Sequence, residues 1–104
     1  MYFRFIALLA ASLFADNALA ANGEELAINS NCMTCHALEQ KALGPSLKEI
    51  AAKYRNDKSA QTALERKVRN GGAGTWGKMP MPATPKSISD SDIKSIVQWI
   101  LSLK

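Results

Sequence analysis

Cys32-Met33-Thr34-Cys35-His36 is the segment of this chain with the clearest chemistry. Two thiols three positions apart, with an imidazole directly after the second, form the C-x-x-C-H pattern of covalent haem attachment. Each cysteine sulfur adds to one vinyl group of the porphyrin, and the two intervening residues let one turn of backbone bring both sulfurs to the same edge of the ring. His36 is the only histidine in the sequence, so it alone can supply imidazole as the proximal iron ligand.

Three other functions of such a motif fit the sequence less well. A redox dithiol of the thioredoxin type needs a βαβ context, and no segment here has the pattern of a strand–helix–strand unit. A structural zinc site needs four sulfur or nitrogen ligands, whereas the chain contains only Cys32, Cys35 and His36. A disulfide across so short a loop would leave His36 unexplained. The sequence therefore predicts one haem c, covalently bound through Cys32 and Cys35.

Residues 1–20 have the pattern of a secretory signal. Arg4 gives a positive start, residues 5–14 are nearly all apolar, and Ala18-Leu19-Ala20 has small residues at both recognition positions. A membrane anchor would need about 20 apolar residues, roughly twice this run. A twin-arginine pair is absent, which indicates export as an unfolded chain. We therefore predict cleavage after Ala20, a periplasmic location and no membrane anchor.

The remaining residues, 21–104, predict one small domain. A domain of this size is only marginally stable with an aliphatic core alone, and a haem would supply the missing apolar bulk.

The net charge is +4, and loss of residues 1–20 leaves it unchanged because that segment holds one arginine and one aspartate. The basic residues are scattered, with no run typical of nucleic-acid binding. They fit either a solvated surface or a lysine ring that steers the protein to an acidic partner. A small polar domain also favours a monomer.

Apolar periodicity predicts four helices and an all-α fold. They span 24 to about 31 with Asn22 or Gly23 as cap, 47–54, and 59–70 with Ser59 as cap; the last helix is capped by Ser89 or Asp90 and runs to the C-terminus. The predicted inner face of the third helix includes Ala63, Leu64 and Val68. In the last helix the apolar stripe comprises Ile93, Ile96, Val97, Ile100 and Leu101. No segment shows strand alternation, so the prediction is four to five helices wrapped around one haem.

Residues 71–87 form a loop that contains four of the six glycines and three of the four prolines. No helix or strand ladder is predicted to order this loop, so we expect the iron to do so. Methionine is the ligand that raises a haem potential, and Met33 lies on the histidine side. Met79 and Met81 remain, and their two-residue separation places both on the same side of an extended segment. Spacing alone does not choose between them.

Several motifs of the mature chain together resemble the small bacterial class I cytochromes c of the c-551/c-552 type. They are the attachment segment, Leu43-Gly44-Pro45-Ser46-Leu47, Ala51-Ala52-Lys53-Tyr54, residues 70–77 with the following Pro80-Met81-Pro82, and Gln98-Trp99-Ile100-Leu101-Ser102. The resemblance implies that Met81, the methionine between two prolines, is the axial ligand. It also implies that the Pro45 carbonyl accepts the His36 ring N–H and that Trp76 donates to a haem propionate.

The resemblance is weaker at two points. Lys67 is a poorer propionate candidate than the arginine that the family often has there, because lysine lacks the planar fork. The segment after Pro82 departs from the shorter family members, so Thr84 is only a candidate for a polar group near the Met81 sulfur.

The resulting functional expectation is a soluble periplasmic electron carrier with His/Met-ligated low-spin haem, and not an enzyme. Its partners would be periplasmic or membrane-bound reductases and oxidases. The alternative is a gas-binding or peroxidatic haem protein with an open sixth position, in which neither Met79 nor Met81 binds the iron.

Overall fold

The computed structural model describes residues 15–104, and their side chains from Asn22 onward. In chain order the elements are helix α1 (Ala15–Asn29), a 3₁₀ helix (Cys32–Thr34), α2 (Leu47–Lys53), α3 (Ala60–Asn70), strands β1 (Gly72–Gly74) and β2 (Gly77–Met81), and α4 (Asp90–Ser102). Most of the predicted signal segment lies outside the described residues, and α1 continues across the predicted cleavage point after Ala20. Within residues 15–104, no helix is both long and apolar enough to cross a membrane.

Helix α4 is the centre of the core and packs against α1, α2 and α3. Four members of its predicted apolar stripe are buried and Leu101 is half-buried. Trp99, which the stripe did not include, is buried as well. The main apolar cluster joins α1, α2 and α4 through Ala27, Leu47, Ile50, Ile96, Trp99 and Ile100.

Helix α1 crosses α4 at Gly23, which is buried. A Cβ at this position would overlap the Ser95 carbonyl oxygen and Trp99 Cβ, so the absence of a side chain permits the close crossing. The prediction that Asn22 or Gly23 caps the first helix is wrong, because the helix begins at Ala15 and passes through both residues. Its C-terminal end is followed by Asn31, whose φ of 65° is left-handed.

Serine side chains cap α2 and α4; the cap at Ser89 was one of the two positions predicted for the last helix, whereas the cap at Ser46 was not predicted. Ser46 Oγ accepts from the Glu49 N–H at 3.1 Å, and Ser89 Oγ accepts from the Asp92 N–H at 3.0 Å. Each such cap contributes about 1 kcal/mol to helix stability. Ser59 does not cap α3 with its side chain, because its backbone is helical (φ −88°, ψ −7°) and not extended as at Ser46 and Ser89; its hydroxyl donates to Asp57 Oδ1 at 2.7 Å.

The inner face of α3 differs from the prediction by one residue. Ala60 is buried and Leu64 and Val68 are half-buried, whereas Ala63 is exposed. Ala60, Leu64 and Val68 are spaced four apart and form one stripe along the helix, and Ala63 lies beside this stripe on the exposed side.

An antiparallel hairpin of β1 and β2 was not predicted. Gly72 pairs with Met81 and Gly74 with Gly77, and every strand residue except Met81 is exposed. Strand alternation appears in a sequence only when one face of the strand is buried. The φ angles of Gly74 and Gly77, 128° and 125°, are open to glycine at little cost. The fold is otherwise helical, as predicted.

The Gly23→Ala variant should lose about 1–3 kcal/mol of unfolding free energy, the usual cost of overpacking. This loss exceeds the gain of about 0.5–1 kcal/mol from better helix propensity. Denaturant unfolding of the haem-loaded protein measures the difference. Glu24→Ala, at an exposed neighbouring position, is the control, and equal stability of the two variants would contradict close packing at this crossing.

Candidate functional site

The attachment loop is a single tight turn that follows α1. The Cys32 carbonyl accepts from the N–H groups of Cys35 at 3.3 Å and His36 at 3.1 Å. Both cysteines are half-buried and neither forms a disulfide, so both sulfurs are available for thioether bonds. Burial raises the pKa of the Cys32 thiol, because the thiolate loses hydration.

The His36 ring is oriented by the segment that leads into α2. Its Nδ1 lies 2.7 Å from the Pro45 carbonyl oxygen. A carbonyl only accepts, so Nδ1 carries the proton and Nε2 keeps its lone pair for a metal. Gly44 lies directly against the ring, since a Cβ there would be 2.6 Å from His36 Cε1. This contact between His36 and Pro45 is the one that the resemblance implies.

An apolar cavity of about 410 Å³ lies beside the His36 ring. His36 and Cys35 line it from the attachment loop, and Met79 and Met81 line it from β2. Apolar side chains of three further segments complete the walls: Leu43, Ile50, Leu64 and Val68. An imidazole with a free nitrogen, two thioethers and a thiol at one apolar cavity fit a haem. Cys32 lies just outside this lining and packs partly against the core.

The two candidate methionines differ in exposure. Met79 is 64% exposed, whereas Met81 is half-buried. The position of Met81 is further determined by Gly71, where a Cβ would overlap the Met81 carbonyl oxygen and the backbone of Pro82 and Ala83. The backbone after α3 therefore packs directly on the backbone of Met81.

Trp76 and Lys67 both line the cavity. Trp76 is 40% exposed, and Lys53 Nζ lies 5.7 Å from the centroid of its ring and 5.9 Å from that of Tyr54. Cation–π attraction at this distance is worth about 0.5–1 kcal/mol at an exposed site. It links the turn between β1 and β2 to the C-terminal end of α2.

Thr84, the candidate for a polar group near the Met81 sulfur, bonds to α3. Its hydroxyl donates to the Val68 carbonyl oxygen at 2.6 Å, so its proton is not available to the sulfur. Sequence analysis also missed Arg69, whose guanidinium bonds to the same segment. A basic residue in the last turn of a helix is common, and nothing in the sequence distinguishes this one.

A small helical domain with a C-x-x-C-H turn at an apolar cavity, and thioethers on a second wall, is a haem protein of the c type. A family model described as cytochrome c matches residues 20–104. The chain is 44% identical over 96 residues to cytochrome c-552 of Nitrosomonas europaea, covering 88% of this chain and 92% of that protein. It is 38% identical over 93 residues to cytochrome c-551 of Pseudomonas aeruginosa, with 89% and 88% coverage.

The fold agrees with these relationships. The crystal structure of wild-type Nitrosomonas europaea cytochrome c552 matches with a TM-score of 0.73 and 46% identity, covering 78% of this chain and 99% of that one. The chain therefore belongs to the cytochrome c family, and the resemblance to its small c-551/c-552 members is confirmed. It has the class I fold and carries one covalently attached haem c, as members of this electron-carrier family do.

The Cys32→Ala/Cys35→Ala protein, which cannot attach haem, is expected to be largely unfolded. Without haem, the apolar cavity walls must either face water or collapse, and so small a core does not offset that cost. Far-ultraviolet circular dichroism measures the loss of helix. Thr34→Ala, an exposed change in the same turn, should keep both haem and helix. Native helix content with a cooperative thermal transition in the double variant would contradict the expectation.

Proposed function

We propose that the protein is a soluble periplasmic one-electron carrier whose haem iron is bound by His36 and Met81. The observation that carries the proposal is the convergence of these two side chains, from separate parts of the chain, on one apolar cavity. The hydrogen bond from His36 Nδ1 to Pro45 favours Nε2 as the iron ligand. Partial burial of Met81 favours it over the exposed Met79.

When bound, the haem supplies a one-electron couple between its ferric and ferrous states. The chain would keep the same two side chains, His36 and Met81, at the iron in both states. Pro45 orients His36 from one side, and the pairing of Met81 with Gly72 restrains β2 on the other. The apolar walls formed by Ile50 and Leu64 exclude water, and a hydrophobic shell of this kind tunes the potential. A site that rearranges little between the two states favours rapid electron exchange.

The residues around the cavity favour a carrier over an enzyme. The lining residues from segment 72–82 include no histidine, aspartate or glutamate, so this wall offers no conventional general acid or base. The one carboxylate of the lining, Glu49, lies on α2 and is exposed. The imidazole of His36 is already engaged through Nδ1. The rival function, with an open sixth position, requires that Met81 stay away from the iron, which its partial burial at the cavity disfavours.

Redox partners would dock on the surface around the cavity, because the electron must reach the haem held there. Leu43, Met79 and Trp76 line this cavity, and the bound haem would lie against them. The net charge of +4 favours acidic partners, and we propose brief docking of the monomer with periplasmic or membrane-bound reductases and oxidases.

The ferric protein is expected to show the far-red sulfur-to-iron charge-transfer band, to lose it in Met81→Ala and to keep it in Met79→Ala. Removal of the thioether should also lower the reduction potential, because methionine ligation raises it. Absorption spectra of the three purified proteins, with potentiometry, measure both effects. Rapid carbon monoxide binding to the unaltered ferrous protein, with no band in its ferric form, would favour the rival function.

Export should remove residues 1–20. Mass spectrometry of protein secreted by a host that matures c-type cytochromes is expected to give a chain that begins at Ala21 and carries one haem. Ala20→Tyr should block the cleavage, because a small residue is needed at that position. Secreted wild-type protein that keeps residues 1–20 would contradict the processing proposal, without affecting the assignment of the iron ligands.

A further inference from the structure

We propose that Arg69 is a positioning residue that holds the segment after Met81 against α3 and so slows the release of Met81 from the iron. The inference rests on the proposed function, because it takes Met81 to be the axial ligand. It concerns a different property, namely how long the iron–sulfur bond persists.

The Arg69 guanidinium bonds to three residues of the segment between β2 and α4 and to the first residue of α4. Nη1 donates to the carbonyl oxygens of Pro85 at 3.0 Å and Thr84 at 3.4 Å. Nη2 donates to the Ile88 carbonyl oxygen at 2.7 Å and to Asp90 Oδ1 at 2.7 Å, and Nε donates to the same carboxylate oxygen at 3.2 Å. One planar group thus links residues 84–88 to the start of α4.

Backbone contacts attach the same segment to the C-terminal turn of α3. The Thr84 N–H donates to the Arg69 carbonyl oxygen at 3.2 Å, and the Thr84 hydroxyl donates to the Val68 carbonyl oxygen at 2.6 Å. The last carbonyls of a helix lack partners within it, so these bonds complete α3 while they fix Thr84. Met81 lies three residues earlier, with its own backbone against Gly71.

The hydrogen bonds from Arg69 to backbone carbonyl oxygens contribute most to holding this segment. The Arg69 side chain is 23% exposed, whereas that of Asp90 is 93% exposed, and a salt bridge to so exposed a partner contributes little. Hydrogen bonds from a charged donor to carbonyls are stronger than neutral ones. Within segment 82–89 the only described backbone hydrogen bond between its own residues joins the Ile88 N–H and the Pro85 carbonyl oxygen. The geometry of the segment therefore depends on its contacts with α3.

Lysine cannot replace Arg69 in this role. An ammonium is a compact donor on a flexible stem, whereas the guanidinium presents donors in a fixed planar fork. Arg69→Lys retains the charge and most of the apolar stem, but it cannot reach three carbonyl groups in the same geometry. A shorter lifetime of the iron–sulfur bond in Arg69→Lys would thus show that the planar guanidinium, and not only its positive charge, slows the release of Met81.

The test uses haem-loaded ferric protein and saturating imidazole, which captures the sixth position each time Met81 leaves. The decay of the far-red band then gives the release rate. Arg69→Gln should raise this rate by about tenfold, the size that follows from losing one or two net hydrogen bonds, and Arg69→Lys should raise it by a smaller factor. The Thr84 amide should also exchange its hydrogen faster in both variants.

Two further variants are controls. Arg66→Gln alters an exposed arginine of the same helix that makes none of the side-chain hydrogen bonds among the described residues, and its release rate should equal that of wild type. Asp90→Asn removes the charge pair but leaves the carbonyl bonds, and its rate should change by about twofold or less.

The outcomes separate the two proposals. A wild-type protein without the far-red band would overturn the assignment of Met81, and with it this inference. A wild-type protein with the band, together with Arg69 variants whose release rates match that of Arg66→Gln, would overturn the role of Arg69 alone. If Arg69→Gln does not fold, the comparison of Arg69→Lys with Arg66→Gln decides the question in the same way.

Discussion

The hydrogen bond from His36 Nδ1 to the Pro45 carbonyl oxygen links the two halves of this domain. On one side of it the attachment turn presents the cysteines and the imidazole. On the other side Pro45 leads directly into Ser46, which caps α2, and Leu47, which is buried in the core. A rotation of the His36 ring would therefore disturb the start of α2, and the fit of the ligand is coupled to the packing of the helices.

The opposite wall of the cavity, formed by β1 and β2, is stabilised by different interactions from those of the helices. The helices are stabilised by burial of the α4 stripe and by serine caps, whereas β1 and β2 bury little against the rest of the chain and line the haem cavity. Their position depends on close backbone approach at Gly71 and on the contact of Lys53 with Trp76, and Arg69 bonds to the segment that follows β2. Regions with few buried apolar contacts open at low free energy. The methionine side of the site is thus the part of the molecule most dependent on specific polar contacts.

The arrangement suits an electron carrier. Membership of the cytochrome c family establishes a protein that carries one haem c, and the residues of this chain determine how firmly it is held. The covalent bonds and the oriented histidine come from one short turn, and in the proposed function the methionine ligand comes from a remote strand. A site assembled in this way would keep the cofactor permanently while the bond to methionine is the more labile one. The polar contacts around the methionine determine the lifetime of that bond.

Local signals in the sequence were sufficient for much of the fold. The C-x-x-C-H motif specified the cofactor because thioether and imidazole chemistry requires those residue types at that spacing, and α4 followed from its apolar period and the Ser89 cap. Pro45, Trp76 and Met81 came from resemblance to a family and not from spacing. Ala63 was wrongly placed on the inner face of α3, because an apolar alanine next to Leu64 does not itself show which side of the helix is buried.

The sequence by itself determined the cofactor, the helical class and most helix positions, since each depends on residues close together in the chain. Only the tertiary structure decided that Gly23 is a crossing point, that Ser59 does not cap α3, that glycines form a hairpin, and that Thr84 and Arg69 bind to the end of α3. These features depend on which distant backbone groups come within hydrogen-bond or van der Waals distance. These distances depend on how α1, α3 and α4 pack against one another, and no local sequence pattern predicts that packing.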